Sequence, residues 1–308
     1  VTSIIQNIGK VTNSGVEIEL VYNAFKNKDW SVSVGANATF VKNKIKNLPA
    51  TMKENGYISG SKKWLEGKSI YEFWLRQWHG VDPQTGDGLY VADVSKYNQG
   101  NIGTGDGNIT QSQFDEYKKT VVTIDGKELT NSYTYAKYDF SGSSIPDVYG
   151  GFNVRVSYKN FDLAAVFSYQ LGGQILDTNY ATMMSMTEFG YAQSPDLLKA
   201  WKQAGDITEV PRIDNSAAHT TNIGQSYSTR WLTSSDYLNL RSVTIGYQLP
   251  KTWLSKVMLK SARLNLTAEN LFMLKARQGL NPMANYSGVT YNEYMPSRNI
   301  TLGLNVSF

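Results

Sequence analysis

Residues 299–308 of the chain read NITLGLNVSF, and this stretch decides the fold class. Apolar side chains occupy every second position from Ile300 to Phe308, and polar or small side chains occupy the positions between them. Successive side chains of an extended strand point to opposite faces, so one face of this strand is wholly apolar. Such a strand is typical of a membrane β-barrel, where one face meets hydrocarbon and the other meets water.

The same alternation of apolar and polar side chains continues upstream. It is clearest at 30–40, 152–158 and 260–270, and further candidates lie at 16–22, 71–78, 89–91, 161–169 and 237–249. With the terminal strand, these segments predict about nine strands. Several keep one register for about ten residues, which is the length that crosses a bilayer at a tilt.

Short and long connections alternate between the predicted strands. The short ones are 26–28, 82–88, 159–160 and 250–260, and the long ones are 43–68, 95–147, 172–235 and 272–296. If nine strands run antiparallel, every short connection lies on one side of the sheet and every long one on the other. Bacterial outer-membrane barrels have this asymmetry, with short periplasmic turns and long external loops. The sequence therefore predicts an all-β, antiparallel transmembrane β-barrel.

The positions of charged residues indicate which face of each strand meets water. Arg155, Arg263 and Glu269 share the parity of polar residues, so we expect them on the lumen face, the only face of a barrel that tolerates charge well. Arg241 breaks the pattern because it has the parity of the apolar Val243. We therefore expect Arg241 at the external rim or beyond a β-bulge.

The composition agrees with a membrane barrel and argues against other classes. The chain has 20 Tyr and 7 Trp, and rings with a polar edge are enriched at membrane rims. The mean hydropathy of -0.37 excludes a helical membrane protein, whereas barrel strands keep this value low. The net charge of +4 is scattered without a basic block, so we expect no nucleic-acid partner. There is no cysteine and hence no thiolate chemistry.

The sequence offers little for catalysis or metal binding. His79 and His219 are the only histidines, and neither has a neighbour at metal-ligand spacing. The segment 103–110 resembles a calcium loop, but aligning its Gly107 with the invariant glycine places Gln113 where a glutamate is required. We therefore expect no enzyme activity, no metal and no cofactor.

Motifs in a fixed order link the chain to a known family. They are NIGKVTNSGVE at 7–17, GVDPQTGD at 80–87, IPDVYGGF at 145–152, TRWL at 229–232, SDYL at 235–238, VTIGYQLP at 243–250, ENLF at 269–272 and GLNP at 279–282, followed by the terminal strand. In these motifs, and over almost its whole length, the chain resembles the C-terminal barrel region of SusC/RagA-type TonB-linked outer-membrane transporters of Bacteroidetes. Phe308 resembles the C-terminal aromatic residue that serves as the barrel-assembly signal of outer-membrane proteins.

The resemblance implies a location, a function and partners. Residues 1–308 would form an incomplete part of a 22-stranded barrel in the Gram-negative cell outer membrane, in contact with lipid. The plug domain and the segment that binds TonB would lie upstream, and Val1 to Ile5 show no signal peptide. The complete protein would import nutrients, an oligosaccharide or a peptide, together with a SusD-like lipoprotein.

The long connections carry the residues that we expect to contact substrate. Aromatic rings with polar tips suit stacking on sugars or docking a partner, although ordinary loop packing also explains them. The candidates are Trp64, Tyr97, Tyr180, Tyr191, Trp201, Tyr227, Tyr286 and Tyr291.

Two other interpretations are compatible with the alternation. A passive porin or structural barrel would have the same strands but no plug or TonB segment upstream. A secreted carbohydrate-binding β-sandwich also alternates, but its strands are shorter and its connections are rarely so long.

Overall fold

The computed structural model of the chain describes residues 9–185, 190, 192–217, 219, 223–224, 227–255 and 258–308. The strands, in chain order, are β1 (Lys10–Lys26), β2 (Trp30–Asn47), β3 (Tyr57–Ser59), β4 (Lys62–Trp64), β5 (Glu72–Arg76), β6 (Trp78–Val81), β7 (Gly88–Val91), β8 (Val121–Ile124), β9 (Lys127–Thr130), β10 (Tyr138–Ser143), β11 (Val148–Tyr158), β12 (Phe161–Leu171), β13 (Gln174–Leu176), β14 (Leu232–Ser234), β15 (Tyr237–Gln248), β16 (Ser261–Glu269), β17 (Met273–Lys275) and β18 (Asn299–Ser307). The α-helices are α1 (Gln111–Thr120), α2 (Thr178–Met183) and α3 (Lys251–Leu254).

One large antiparallel sheet dominates the described part of the chain. Its order is β1-β2-β11-β12-β15-β16-β18, and the short β17 pairs with the start of β15. Consecutive long strands are therefore neighbours, as in an up-and-down barrel wall. Within the described residues β1 and β18 each pair with a strand on one side only, so this wall is open.

The register of the sheet aligns apolar side chains across every long strand. One row of partners consists of Tyr22, Val34, Val154, Ala165, Val243, Ala268 and Ile300. Ile300, Leu302 and Leu304 are 71%, 69% and 63% exposed in the isolated chain, so no other described segment covers this face. A continuous bare apolar face is suited to lipid, and it confirms the predicted class of a transmembrane β-barrel wall.

The short connections lie together at one end of this sheet. Lys159 donates its backbone N–H to Asp29 at 2.8 Å, and Gln248 donates to Asn160 at 2.8 Å. Ring pairs mark the same end, with centroids 4.3 Å apart for Trp30 and Tyr158 and 4.3 Å apart for Phe161 and Tyr247. The row of rings resembles the aromatic girdle that borders the apolar band of membrane barrels.

Two of the expected barrel strands lie outside the main sheet. Segments 71–78 and 89–91 form β5, β6 and β7, which belong to two four-stranded sheets, β10-β5-β4-β3 and β6-β7-β9-β8. Phe73, Leu75 and Tyr90 are fully buried, so their apolar faces meet protein and not lipid. The assignment of these two segments to the barrel wall is wrong for this reason, and the main sheet of the described residues has eight strands, including the short β17. Without these two segments the long strands of the wall still alternate in direction, so the remaining short and long connections stay on opposite sides of the sheet. The turn at 82–88, however, now belongs to the side of the long connections.

The long connections contain their own apolar cores. One core joins Phe73 and Leu75 of β5 to Leu176, Trp231 and Val289, which come from the other long connections. A second core consists of Ala92, Tyr97, Ile109, Tyr117 and Tyr135. The long connections are therefore packed structures on one end of the sheet, which we call the loop layer. No helix in the described ranges is long and apolar enough to cross a membrane.

The expected bulge at Arg241 is confirmed. Val166 pairs with Ser242, but the next residue of β12 pairs with Leu240, so Arg241 is left over in β15. Arg241 is exposed. The extra residue lets its side chain leave the apolar row without shifting the rest of the strand.

Candidate functional site

The polar face of the sheet carries an ion pair that spans three strands. Arg263 of β16 reaches Asp162 of β12 across β15, with 2.7 Å between Nη2 and Oδ2. Gly246 of β15 lies beneath this pair, and a Cβ atom there would collide with both side chains. Glu269 lies on the same face and accepts a hydrogen bond from Asn299 at 3.2 Å. These charges occupy the expected lumen face.

Amides and hydroxyls cover much of the remaining polar face. Asn265 accepts a hydrogen bond from Asn305 at 3.0 Å, and the hydroxyls of Thr244 and Thr267 are 3.1 Å apart. The side chain of Asn37 accepts from the backbone N–H of Gly151 at 2.7 Å. Such groups can exchange hydrogen bonds with water or with a polar solute. The polar face is thus suited to line an aqueous path.

Several of the predicted substrate-contacting rings are exposed in the loop layer. Tyr227, Tyr286 and Tyr291 are 40%, 50% and 68% exposed. Trp64 is half-buried, and its ring centroid lies 5.4 Å from that of Tyr57. The sequence therefore placed these rings in the correct layer, and their role in binding stays a prediction.

Other predicted rings serve packing. Tyr97 is 8% exposed, and its ring centroid lies 5.2 Å from that of Tyr117 and 4.9 Å from that of Tyr135. This burial corrects the expectation that Tyr97 is free to stack on substrate. Trp201 covers Gly86 and donates its indole N–H to Pro83 at 3.0 Å. Tyr191 lies outside the described residues.

Tyr180 belongs to a charged cluster beside a cavity of about 320 Å³. Its hydroxyl donates to Asp196 at 2.8 Å, and its ring lies 3.6 Å from the guanidinium carbon of Arg277. Arg277 is also paired with Asp177 at 2.6 Å. Burial, followed by the hydrogen bond to Asp196, raises the pKa of Tyr180. Tyr180 therefore remains protonated at neutral pH and is already held by two partners.

Arg230 lies between two tryptophan rings at a second cavity, which has a volume of about 370 Å³. Its guanidinium carbon is 4.7 Å from the ring centroid of Trp78 and 4.3 Å from that of Trp231. Burial lowers the pKa of Arg230 to about 10, so the group is still charged at neutral pH. In the sequence, Arg230 is distinguished only as part of the TRWL motif at 229–232. Its position next to Trp231 was the feature of the sequence that could have indicated a contact between a cation and an aromatic ring.

The histidines and the calcium-like segment are not grouped into a metal centre among the described residues. His219 is buried, and its Nε2 lies 2.8 Å from the carbonyl oxygen of Arg212. Its Nδ1 lies 3.8 Å from Asp87, which is also paired with Arg212 at 3.0 Å. Packing within the loop layer accounts for His219, and the expected absence of a metal stays a prediction.

Comparisons with known proteins agree with this architecture. No family model matches the chain. TonB-dependent receptor P3 of Formosa agariphila is 28% identical to it over 326 residues, which cover 100% of this chain and 30% of the relative. TonB-dependent receptor SusC of Bacteroides thetaiotaomicron is 23% identical, with 98% and 27% covered. The chain thus spans about 30% of the length of the curated relatives it matches.

Solved structures show the same fold. The RagAB peptide transporter matches 98% of the chain with a TM-score of 0.74 and 24% identity, and the match covers 30% of that chain. The RagAB peptide importer in its closed-closed state gives a TM-score of 0.75 at 25% identity, with 98% and 30% covered. The motifs, the bare apolar face, the polar lumen face and these similarities lead to one assignment. The chain has the fold of a part of a TonB-dependent receptor β-barrel, and along its whole length it is similar to receptors of the SusC/RagA type.

Proposed function

We propose that residues 1–308 are the C-terminal part of the barrel of an outer-membrane transporter that imports nutrients in a TonB-dependent manner and has no enzymatic activity. The main support is the two-faced sheet, in which an uncovered apolar row lies opposite a face of amides, hydroxyls and paired charges. A transporter wall needs both faces at once, one for lipid and one for water. The similarity along the whole chain to proteins named TonB-dependent receptors supports the energised form of transport.

The proposed substrate is an oligosaccharide or a peptide, and the proposed partner at the loop layer is a SusD-like lipoprotein. One similar protein is named SusC, which supports the SusD-like partner, and another is a peptide transporter, which supports the peptide. The exposed Tyr227, Tyr286 and Tyr291 give the loop layer aromatic rings that can stack on a ligand and hydroxyls that can form hydrogen bonds with it. TonB itself would act through a region outside these residues.

The test is uptake by cells that express the full-length protein. We expect labelled oligosaccharide or peptide to enter only when TonB and the energised inner membrane are present, because a plugged barrel does not open by itself. The matched control is the same strain with TonB deleted and the protein still present in the outer membrane. Equal uptake in both strains would favour a passive porin. Folding of the purified barrel chain as a monomer without detergent would contradict the lipid-facing assignment.

A further inference from the structure

We propose that Arg230, held between Trp78 and Trp231, binds a carboxylate group carried by the imported oligomer. This inference rests on the proposed transport function and names a chemical feature of the substrate. Arg230 lies in the loop layer, just before β14, and lines the cavity of about 370 Å³ together with His79, Tyr180, Thr208 and Glu209.

The two tryptophans fix the orientation of the guanidinium. Its carbon lies 4.7 Å and 4.3 Å from the two ring centroids, so aromatic faces flank the cation. Trp78 is itself fastened to the segment that carries Arg230, because its backbone N–H donates to the hydroxyl of Thr229 at 2.9 Å. Neither ring contact pairs the cation with an anion, so N–H groups of the guanidinium are left for ligands.

The charge of Arg230 lacks an acidic partner within the described part of the chain. Arg212, Arg263 and Arg277 are each paired with an aspartate, at 3.0, 2.7 and 2.6 Å. Arg230 has no such pair, and the one acceptor found for it among the described residues is the carbonyl oxygen of Ile223, 3.1 Å from Nη1. Since a guanidinium has five N–H donors, donors remain for an incoming anion. Burying an uncompensated charge is costly, and a ligand carboxylate would remove this cost.

A second arginine strengthens the positive character of this region. Arg76 bridges to Ser228, two residues before Arg230, and its guanidinium carbon lies 4.5 Å from the ring of Tyr133. No ion pair to Arg76 is found among the described residues either. Burial raises the pKa of Tyr90 to about 12, and the nearby charges of Arg230 and Arg76 act in the opposite direction. Two cations thus surround one buried tyrosine.

The cavity itself suits one acidic unit of an oligomer. Its walls combine rings with a few polar groups, which is the usual make-up of a small-molecule site. Glu209 also lines it, but forms no ion pair with Arg230 in the described structure. An arginine fork binds a carboxylate in two parallel hydrogen bonds, which gives direction as well as affinity. A uronic acid and an acidic peptide present the same carboxylate, so both are tested.

The first experiment uses the unmodified full-length protein, purified in detergent, and changes only the ligand. The probes are trigalacturonate and a triglutamate peptide, each compared with its methyl ester by calorimetry. We expect at least one free acid to bind about 10- to 100-fold more tightly than its ester, the range for hydrogen bonds to a charged group. The probe with the larger ratio identifies the source of the carboxylate. Equal affinity of acid and ester for both probes, including no measurable binding of any, would overturn the inference.

The second experiment changes the protein. Arg230→Gln should remove the preference for the acid and change the affinity for the ester less than about threefold, because only the charged fork is lost. Arg241→Gln removes the same charge at an exposed bulge and should keep the preference. A parallel loss of acid and ester binding in Arg230→Gln would indicate a merely structural role. TonB-dependent uptake of neutral oligomers without any carboxylate preference would reject this inference and leave the proposed function standing.

Discussion

The large sheet and the loop layer use aromatic and aliphatic residues in opposite ways. In the sheet these side chains stay uncovered, as at Leu302 and Leu304, because lipid completes their environment. In the loop layer Phe73, Tyr90 and Tyr117 are fully or almost fully buried by other parts of the chain. The sheet is therefore stabilised by what surrounds the protein, and the loop layer by what the protein supplies itself.

The comparison also explains why the two regions hold charges differently. On the sheet, Arg263 and Asp162 neutralise each other. A lumen wall with paired charges does not retain a passing solute. In the loop layer Arg230 keeps its charge beside two tryptophan rings and has no carboxylate paired with it among the described residues. A transporter needs neutralised charges along the wall of its channel and unpaired charges where it binds its substrate.

The largest expected effect comes from opening the aromatic core of the loop layer. Tyr97→Ala should destabilise this core by about 3–5 kcal/mol, the usual cost of removing a buried ring. We expect faster hydrogen exchange at Tyr117 and Tyr135 and unchanged exchange at Val154 in the sheet. The control is Tyr291→Ala, an exposed ring whose removal should cost under about 0.5 kcal/mol. Equal exchange in both variants would show that the core is not a cooperative unit.

A charge on the lipid face tests the other side of the comparison. Leu266→Arg should destabilise the barrel by about 2–4 kcal/mol, because the guanidinium would enter hydrocarbon near the middle of a strand. Thr267→Arg places the same group on the lumen face and should cost far less. The measurement is denaturant unfolding of the full-length protein in lipid vesicles, with outer-membrane abundance as a second readout. Equal losses would mean that the two faces are not distinguished by lipid.

A smaller effect is expected where the polar face is tightest. Gly246→Ala inserts a methyl group beneath the Arg263–Asp162 ion pair, where it would collide with both side chains. We expect a loss of about 1–3 kcal/mol in the same vesicle assay, the usual cost of overpacking. Gly107→Ala serves for comparison, since no atom lies within 4 Å of the Cβ position there. Its positive φ of 85° still carries a local backbone penalty, so a loop-confined change is expected.

The sheet could be predicted from sequence because its strands obey one rule along their length. From Ile300 to Phe308 every second residue faces lipid. In β15 the charge of Arg241 at an apolar position indicated the β-bulge that the structure has there. The loop layer obeys no such rule. The stretch 71–78 alternates for a different reason, namely burial against other connections, and periodicity cannot distinguish a protein neighbour from lipid.

The candidate site was harder to predict because it depends on contacts between distant segments. Whether Tyr97 is exposed is decided by Tyr117 and Tyr135, which pack on its ring. Arg230 acquires its second tryptophan from β6, far away in the sequence. Aromatic composition indicated the correct layer, but only the packing separates rings that can meet a ligand from rings that hold the layer together.

The smallest expected effect concerns a lysine in the loop layer. Lys62 donates its ammonium to the carbonyl oxygen of Tyr71 at 2.9 Å and lies 3.2 Å above the ring centroid of Phe73. Burial lowers its pKa from 10.5 to about 7, against the opposing charge of Glu72. Between pH 7 and 10.5 the unfolded loop therefore binds a proton that the folded loop does not, so the stability of the loop layer should rise with pH across this window.

Lys62→Met should remove this dependence, because methionine keeps the apolar stem and has no proton to lose. The measurement is hydrogen exchange at Trp74, whose N–H donates to Ser61 at 2.8 Å, compared between variant and unmodified protein at each pH. We expect slower exchange in the variant near pH 7 and a narrowing difference toward pH 9, with Val154 unaffected. The ring of Phe73 favours the charged amine, while burial favours the neutral one. A difference that stays constant with pH would mean that the aromatic face of Phe73 compensates for the burial of Lys62.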